Sequence, residues 1–101
     1  MGIKFKNDNY RRVRGYSRFL EIKCASCGHF ICHYQKDGPG ILKRMYVDRI
    51  IGLDLNKSRQ IVCKNCKNIV GNLTIYEKEN RPAYNVFPGS ISKKIVKSIL
   101  L

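Results

Sequence analysis

The sequence predicts one small, mainly β domain built from antiparallel strands, and three observations support this. The chain has 101 residues, a length that suits a single domain. Its hydrophobic fraction of 44% is too high for a disordered chain. Short aromatic and β-branched runs alternate with Gly, Pro and Asn turns along most of its length. We expect the folded domain to cover residues 19–101 and a basic N-terminal arm to cover residues 1–18.

The strands follow in chain order from these runs. A first strand is expected over residues 19–23, and a hairpin over 30–35 and 41–47 is expected around the turn Asp37-Gly38-Pro39-Gly40. Further extended segments are predicted at 50–55, 60–62, 69–76 and 84–87, with a bend or bulge at Gly71-Asn72.

The C-terminal segment has two alternatives. Five apolar residues fall on one face of a helix: Ile91, Ile95, Val96, Ile99 and Leu100. This spacing predicts a short C-terminal helix, whereas a terminal strand over residues 91–96 is the competing structure.

Two Cys-x-x-Cys pairs are the most specific motif of the chain. Cys24 and Cys27 form the first pair, Cys63 and Cys66 form the second, and residues 28–62 separate them. Two residues between cysteines allow a tight turn that directs both sulfurs at one ion, and two facing pairs supply a closed tetrahedron. Soft thiolates favour zinc over magnesium or calcium. We therefore predict one structural Zn²⁺, with a rubredoxin-like iron site as the second choice.

The remaining cysteine and the histidines are interpreted as structural. Cys32 lies on a predicted strand beside Ile31, which favours a small buried apolar side chain. His29 and His33 are expected at the surface or in capping positions. Redox-active dithiols are the alternative for the two pairs, but a thioredoxin-like motif requires a βαβ context that this pattern lacks.

The two cysteine pairs resemble those of zinc-ribbon and β-tent proteins, a group that includes methionine sulfoxide reductase B, the Yippee-like proteins and the cereblon ligand-binding domain. The likeness rests on "CASC" at 24–27, "CKNC" at 63–66 and the β-rich segment between them. It implies a zinc-stapled β architecture. The chain departs from the reductase in having no cysteine after Cys66, and from cereblon in having no tryptophan for an aromatic cage.

The charge of the chain predicts a polyanionic partner. There are 20 Lys and Arg against 7 Asp and Glu, a formal net charge of +13, and nucleic acid is the commonest partner for such a balance. Three basic clusters, partly interleaved with aromatics, are the candidate contacts: Arg11, Arg12, Arg14 and Arg18 with Tyr16; Lys43, Arg44 and Arg49; and Lys64 with Lys67.

No enzymatic activity is expected, because the chain shows no catalytic triad or phosphate-cradling loop and four cysteines close a zinc site. Two other functions stay open: a protein-interaction or self-association module that uses the apolar residues of 91–101, and a thiol or zinc redox sensor. No signal peptide is apparent and no apolar run is long enough to cross a bilayer, so a cytoplasmic location without membrane contact is the default expectation. The five cysteines are an odd number, and a cytosolic setting argues against structural disulfides.

Overall fold

Two four-stranded antiparallel β-sheets make up the protein, as a computed structural model that describes residues 5, 16–38, 40–53, 58–97 and 99 shows. The strands are β1 Ser17–Cys24, β2 Phe30–Asp37, β3 Arg44–Tyr46, β4 Ile50–Ile51, β5 Gln60–Val62, β6 Ile69–Tyr76, β7 Arg81–Val86 and β8 Ile91–Val96. A short 3-10 helix, Val47–Arg49, follows β3. The prediction of a mainly β, antiparallel domain is confirmed.

The first sheet has the strand order β4-β2-β1-β8. The β1–β2 hairpin supplies its centre, where Leu20 is opposite Tyr34 and Ile22 is opposite Cys32. These four side chains are buried, in keeping with the aromatic and β-branched residues that predicted the strands.

The C-terminal segment forms a strand, so the strand alternative for residues 91–96 is confirmed and the helix is wrong there. β8 pairs along the open edge of β1, with Ile95 opposite Leu20. The edge of β1 offers a row of backbone partners, and a helix of six residues has no comparable source of stability in water. Ile99 is buried beyond the end of β8.

The second sheet has the order β3-β7-β6-β5, which overturns one predicted hairpin. The turn at 37–40 does not pair the strands on either side of it, because β2 joins the first sheet and β3 pairs with β7 in the second. Gly71 lies within β6 beside a shift in the strand register, because Ile61 is opposite Gly71 whereas Val62 is opposite Ile69, so the bulge and not the bend describes this position. A Cβ at this position would lie 2.5 Å from the carbonyl oxygen of Asn85, so the close approach of β7 requires glycine.

The two sheets share one apolar core. Buried side chains from the first sheet, such as Ile22, belong to the same cluster as Met45, Ile61 and Tyr84 of the second. Cys32 belongs to it too and is fully buried, and this burial raises the pKa of its thiol to about 12. Cys32 therefore behaves as the small apolar residue that the sequence predicts.

Most of the predicted basic arm, residues 1–18, lies outside the described residues. Its described end contributes to the domain, because β1 begins at Ser17. The ring of Phe5 stacks on that of Phe19, with centroids 4.1 Å apart. Within the described part of the chain, no helical segment has the length and hydrophobicity that a transmembrane span requires.

Candidate metal centre

The two cysteine pairs converge on one point. The Sγ atoms of Cys24, Cys27, Cys63 and Cys66 all lie within 4.8 Å of one another. The Cys24–Cys66 and Cys27–Cys63 sulfur distances are both 3.6 Å. Four sulfurs at a Zn–S distance of about 2.3 Å in a tetrahedron are about 3.8 Å apart. The structure therefore brings the four predicted ligands together with the spacing of a tetrahedral thiolate site.

Each pair is held by a turn with the same hydrogen bonds. In the first, the N–H of Cys24 donates to the carbonyl of His29 (2.9 Å), and the N–H of Gly28 donates to the carbonyl of Cys24 (2.8 Å). In the second, the N–H of Cys63 donates to the carbonyl of Asn68 and the N–H of Lys67 donates to the carbonyl of Cys63, both at 2.9 Å. The two turns are thus structural repeats of one knuckle.

The fourth position after each leading cysteine has a left-handed backbone. Gly28 has φ +77° and Lys67 has φ +67°. Glycine adopts this conformation without a steric penalty, whereas lysine is strained by its Cβ. Lys67 therefore carries a conformational cost that its counterpart in the first knuckle avoids.

The flanking strands repeat as well. Lys23 is opposite Phe30 beside the first knuckle, and Val62 is opposite Ile69 beside the second, each next to a shift in the strand register. The side-chain amide of Asn68 also donates to the hydroxyl of Ser26 (2.8 Å), which joins the two knuckles directly. Equivalent strands thus present the two pairs to each other.

The electrostatics of the cluster favour a cation. The side chain of Asn65 and then the backbone N–H of His29 donate to Cys27 and lower its pKa to about 6. The backbone N–H of Asn68 favours the thiolate of Cys66, yet burial and the neighbouring thiols outweigh it and raise the pKa of Cys66 to about 12. Because adjacent thiolates repel, the four sulfurs ionise together only beside a positive ion. Four thiolates are the donor set that soft divalent metals prefer.

Some of the residues predicted to contact nucleic acid are exposed in the structure, and others lie outside the described residues. Lys64 and Lys67 are exposed on the second knuckle, beside the cysteine cluster. Tyr16 is exposed, and the guanidinium of Arg18 lies 5.2 Å from the centre of its ring. The other arginines of that cluster, Arg11, Arg12 and Arg14, lie outside the described residues.

The second basic cluster is divided between surface and interior. Lys43 is exposed, and Arg44 is half-buried with its guanidinium 4.1 Å from the centre of the Tyr76 ring. Arg49 is only 1% exposed, so its placement among surface phosphate contacts is wrong. Its charge is directed inward by an ion pair with Asp37.

Asp37 is the centre of a buried polar network that the sequence did not indicate. Its Oδ1 accepts hydrogen bonds from the hydroxyl of Ser17 (2.7 Å) and the amide of Gln35 (3.0 Å). Its Oδ2 accepts from Nε of Arg49 and lies 3.0 Å from Nη2 of the same side chain. The carboxylate thus holds β1, β2 and the 3-10 helix together.

The network continues into the second sheet through Asp48. This carboxylate lies 3.5 Å from Nη1 of Arg49 and 3.1 Å from Nη2 of Arg81 on β7. Arg81 also pairs with Glu79 at 3.4 Å, and its guanidinium stacks 3.8 Å from the centre of the Tyr46 ring. In sequence, Arg81 is one more charge in a polar turn, and nothing local marks it as buried.

Comparison with known proteins finds no matching family model, no similar curated protein and no similar solved structure. The likeness to zinc-ribbon and β-tent proteins therefore stays a prediction based on the two cysteine pairs, and function has to be argued from the sites themselves.

Proposed function

We propose that the four-cysteine cluster binds one Zn²⁺ and that this ion is structural. The observation that carries the proposal is the pair of 3.6 Å sulfur–sulfur distances between two equivalent knuckles. Each knuckle belongs to a different sheet, so a shared ion links the sheets at one end. A domain of 101 residues gains much from such a link, because its core is modest.

The same geometry supports a role without catalysis at the metal. Catalytic zinc keeps a coordination position for water or substrate, whereas four protein thiolates leave none. We propose a zinc-stapled β domain of the zinc-ribbon or β-tent kind that acts by binding, not as an enzyme.

Metal analysis of matched cysteine variants tests the zinc proposal. We expect one zinc per chain in the purified, reduced protein, and loss of that zinc together with cooperative unfolding when a strong chelator is added. Cys63→Ser removes one ligand and should lose the metal. Cys32→Ala is the matched control, since Cys32 is a buried cysteine outside the cluster and its variant should keep one equivalent. A folded, reduced protein without stoichiometric metal, or with iron in its place, would refute the proposal.

We propose further that the domain binds nucleic acid through phosphate contacts in the cytoplasm. The net charge of +13 supports this, as do the exposed lysines Lys64 and Lys67 on the knuckle and Lys93 and Lys94 on β8. Contacts with about five phosphates give a log–log slope of affinity against salt concentration of about −4.

Fluorescence anisotropy with a labelled oligonucleotide measures this slope. Replacing both Lys64 and Lys67 with glutamine should make it less steep by about 1 to 2, because two phosphate contacts are lost. The single variant Lys64→Gln is compared with Lys78→Gln, in the exposed turn between β6 and β7, which removes the same one charge outside the knuckle. Affinity that does not change with salt concentration would exclude phosphate-dominated binding.

The structure gives less support to an apolar docking surface at the C-terminus. Side chains alternate between the two faces of a strand, so Ile91 and Ile95 lie on one face of β8 and Val96 lies on the other. Ile95 is exposed, but Ile99 is buried. Self-association through this segment therefore remains a secondary hypothesis. A redox or zinc sensor that works through the thiols of the cysteine pairs is a further secondary hypothesis.

A further inference from the structure

One cavity lies on the first sheet, at the end of β1 farthest from the first knuckle. It has a volume of about 220 Å³ and is lined by Arg18, Leu20, Lys36, Gly40, Lys93 and Ile95. Arg18 is opposite Lys36 on β2, and Leu20 is opposite Ile95 on β8. Because opposite and alternate residues share a face of a sheet, the strand residues of the cavity lie on the face that carries the buried Ile22.

The apolar wall of the cavity continues the core to the edge of the sheet. Leu20 is 2% exposed, whereas Ile95, opposite it on β8, is 64% exposed. Within the described residues, the cover over this face therefore ends between β1 and β8. An apolar cavity of about 150 Å³ holds a benzene molecule. The larger volume here has room for a hydrocarbon chain of about six to eight carbon atoms.

Arg18 brings an unpaired guanidinium to this cavity. In the described part of the chain, its Nη1 is buried without a hydrogen-bond partner, and its charge interacts with the ring of Tyr16, whose centre is 5.2 Å away. A buried donor of a charged group costs free energy until an acceptor reaches it. The Arg18 side chain is partly exposed, so its guanidinium can turn toward an acceptor in the cavity. A carboxylate suits it, because two oxygens accept from two N–H groups of the planar fork.

The two lysines of the cavity do not require a second anionic group. The ammonium of Lys36 donates to the carbonyl of Gly38 (3.0 Å), so it is engaged within the protein. Lys93 is opposite Ile22, which lies four positions, or about 13 Å, along β1 from Arg18. At that distance Lys93 borders the other end of the cavity, where its methylene groups can cover a hydrocarbon chain.

We propose that this cavity binds one aliphatic monocarboxylate of about six to eight carbon atoms. The carboxylate pairs with the guanidinium of Arg18, and the hydrocarbon chain lies against Leu20 and Ile95. Binding gives an acceptor to a buried donor and covers an exposed apolar side chain, and both changes are favourable. The site depends neither on the proposed zinc ion nor on the binding of nucleic acid.

Calorimetric titration of the full, reduced chain at constant ionic strength tests the proposal, with octanoate, hexanoate, acetate and 1-octanol as probes. We expect one octanoate to bind per chain. Hexanoate should bind about tenfold more weakly, because it buries two fewer methylene groups. Acetate lacks the chain and octanol lacks the charge, so neither should bind measurably at concentrations that saturate the site with octanoate.

Matched variants locate the binding. Arg18→Met removes the guanidinium and should weaken octanoate binding by about tenfold. Arg59→Met removes the same group from an exposed position outside the cavity and should change the affinity by less than about twofold. Ile95→Thr keeps a β-branched side chain but removes part of the apolar wall, so the affinity should fall several-fold. Ile75→Thr, at an exposed isoleucine of β6 outside the cavity, should change it by less than about twofold.

Four results would overturn the proposal. Octanoate that does not bind is the first, and octanol that binds as tightly as octanoate is the second, because the guanidinium would then have no part in recognition. The third is an equal loss of affinity in Arg18→Met and Arg59→Met, which would assign the attraction to the net charge of the chain. The fourth is an equal effect of Ile95→Thr and Ile75→Thr. This last comparison decides the matter even if Arg18→Met does not fold, since both isoleucines are exposed.

Discussion

The Asp37–Arg49 pair makes the stability of this domain sensitive to one buried charge. The side chains of Asp37 and Arg49 are 4% and 1% exposed, respectively. Substitution Asp37→Asn keeps the shape of the side chain but removes its charge, so Arg49 stays buried without its strongest partner. The amide N–H group of the new asparagine would also replace one carboxylate oxygen that now accepts hydrogen bonds. It would then lie against a donor of Ser17, Gln35 or Arg49.

The expected loss is large for a domain of this size. Removing one partner of a buried ion pair costs about 3–5 kcal/mol. Because Arg49 keeps its contact with the partly exposed Asp48 at 3.5 Å, we expect a loss at the lower end of this range. A domain of this length has a total free energy of unfolding of about 5–15 kcal/mol. Urea denaturation of the purified, reduced protein measures the difference from the transition midpoint and slope.

Two further variants separate this effect from a general loss of charge. Glu21→Gln breaks an exposed pair with Lys23 on β1 and should cost about 1 kcal/mol or less. Adding Arg49→Met to Asp37→Asn removes the buried charge that has lost its Asp37 partner and should recover part of the lost stability. If Asp37→Asn costs no more than Glu21→Gln, the buried network does not contribute as the geometry indicates.

Three other predictions concern single positions. Lys67→Gly should raise the free energy of unfolding by about 0.5–1 kcal/mol, because glycine adopts the left-handed backbone conformation at this position without strain. Gly28→Ala should lower it by about 1 kcal/mol for the same reason. Urea denaturation measures both changes, and a Lys67→Gly variant less stable than the parent chain would contradict the geometry. Gly71→Ala should lower it by about 2–3 kcal/mol, because the added methyl carbon would lie 2.5 Å from the Asn85 carbonyl oxygen, and a melting temperature equal to that of the parent chain would disprove this close contact. The free energy of unfolding should fall as the pH rises above about 9. The thiol of Cys32 ionises there in the unfolded chain, whereas in the folded protein it keeps its proton up to its pKa of about 12. Cys32→Ala should therefore reduce the difference between the urea midpoints measured at about pH 8 and pH 10, and an unchanged difference would argue against this cause.

Local features of the sequence were enough to predict the cluster of four cysteines. A Cys-x-x-Cys turn closes its own hydrogen bonds within six residues, so its geometry depends little on the rest of the chain. Binding of one ion by two such turns would stabilise a small domain, which favours their convergence. The strands were predictable for a similar reason, because the alternation and β-branched content of segments such as 69–76 are local properties.

The strand partners were decided by tertiary structure. The turn at 37–40 indicated a hairpin, but β2 has two better edges to join, those of β1 and β4. Residues 91–96 satisfied both helical and strand spacing, and the open edge of β1 selected the strand. A short stretch of sequence shows the hydrophobic periodicity of a helix or strand, but it does not show which strand edge that segment pairs with in the folded protein.

The amino-acid sequence is sufficient to predict a strongly basic β domain with four thiols in two equivalent turns. It does not show which of the many charges are buried, whereas in the folded protein Arg49 and Arg81 are buried and Lys64 and Lys67 are exposed. Whether a charge can be buried depends on partners that are distant in sequence. Asp37 and Asp48 offset the cost of burying Arg49 and Arg81.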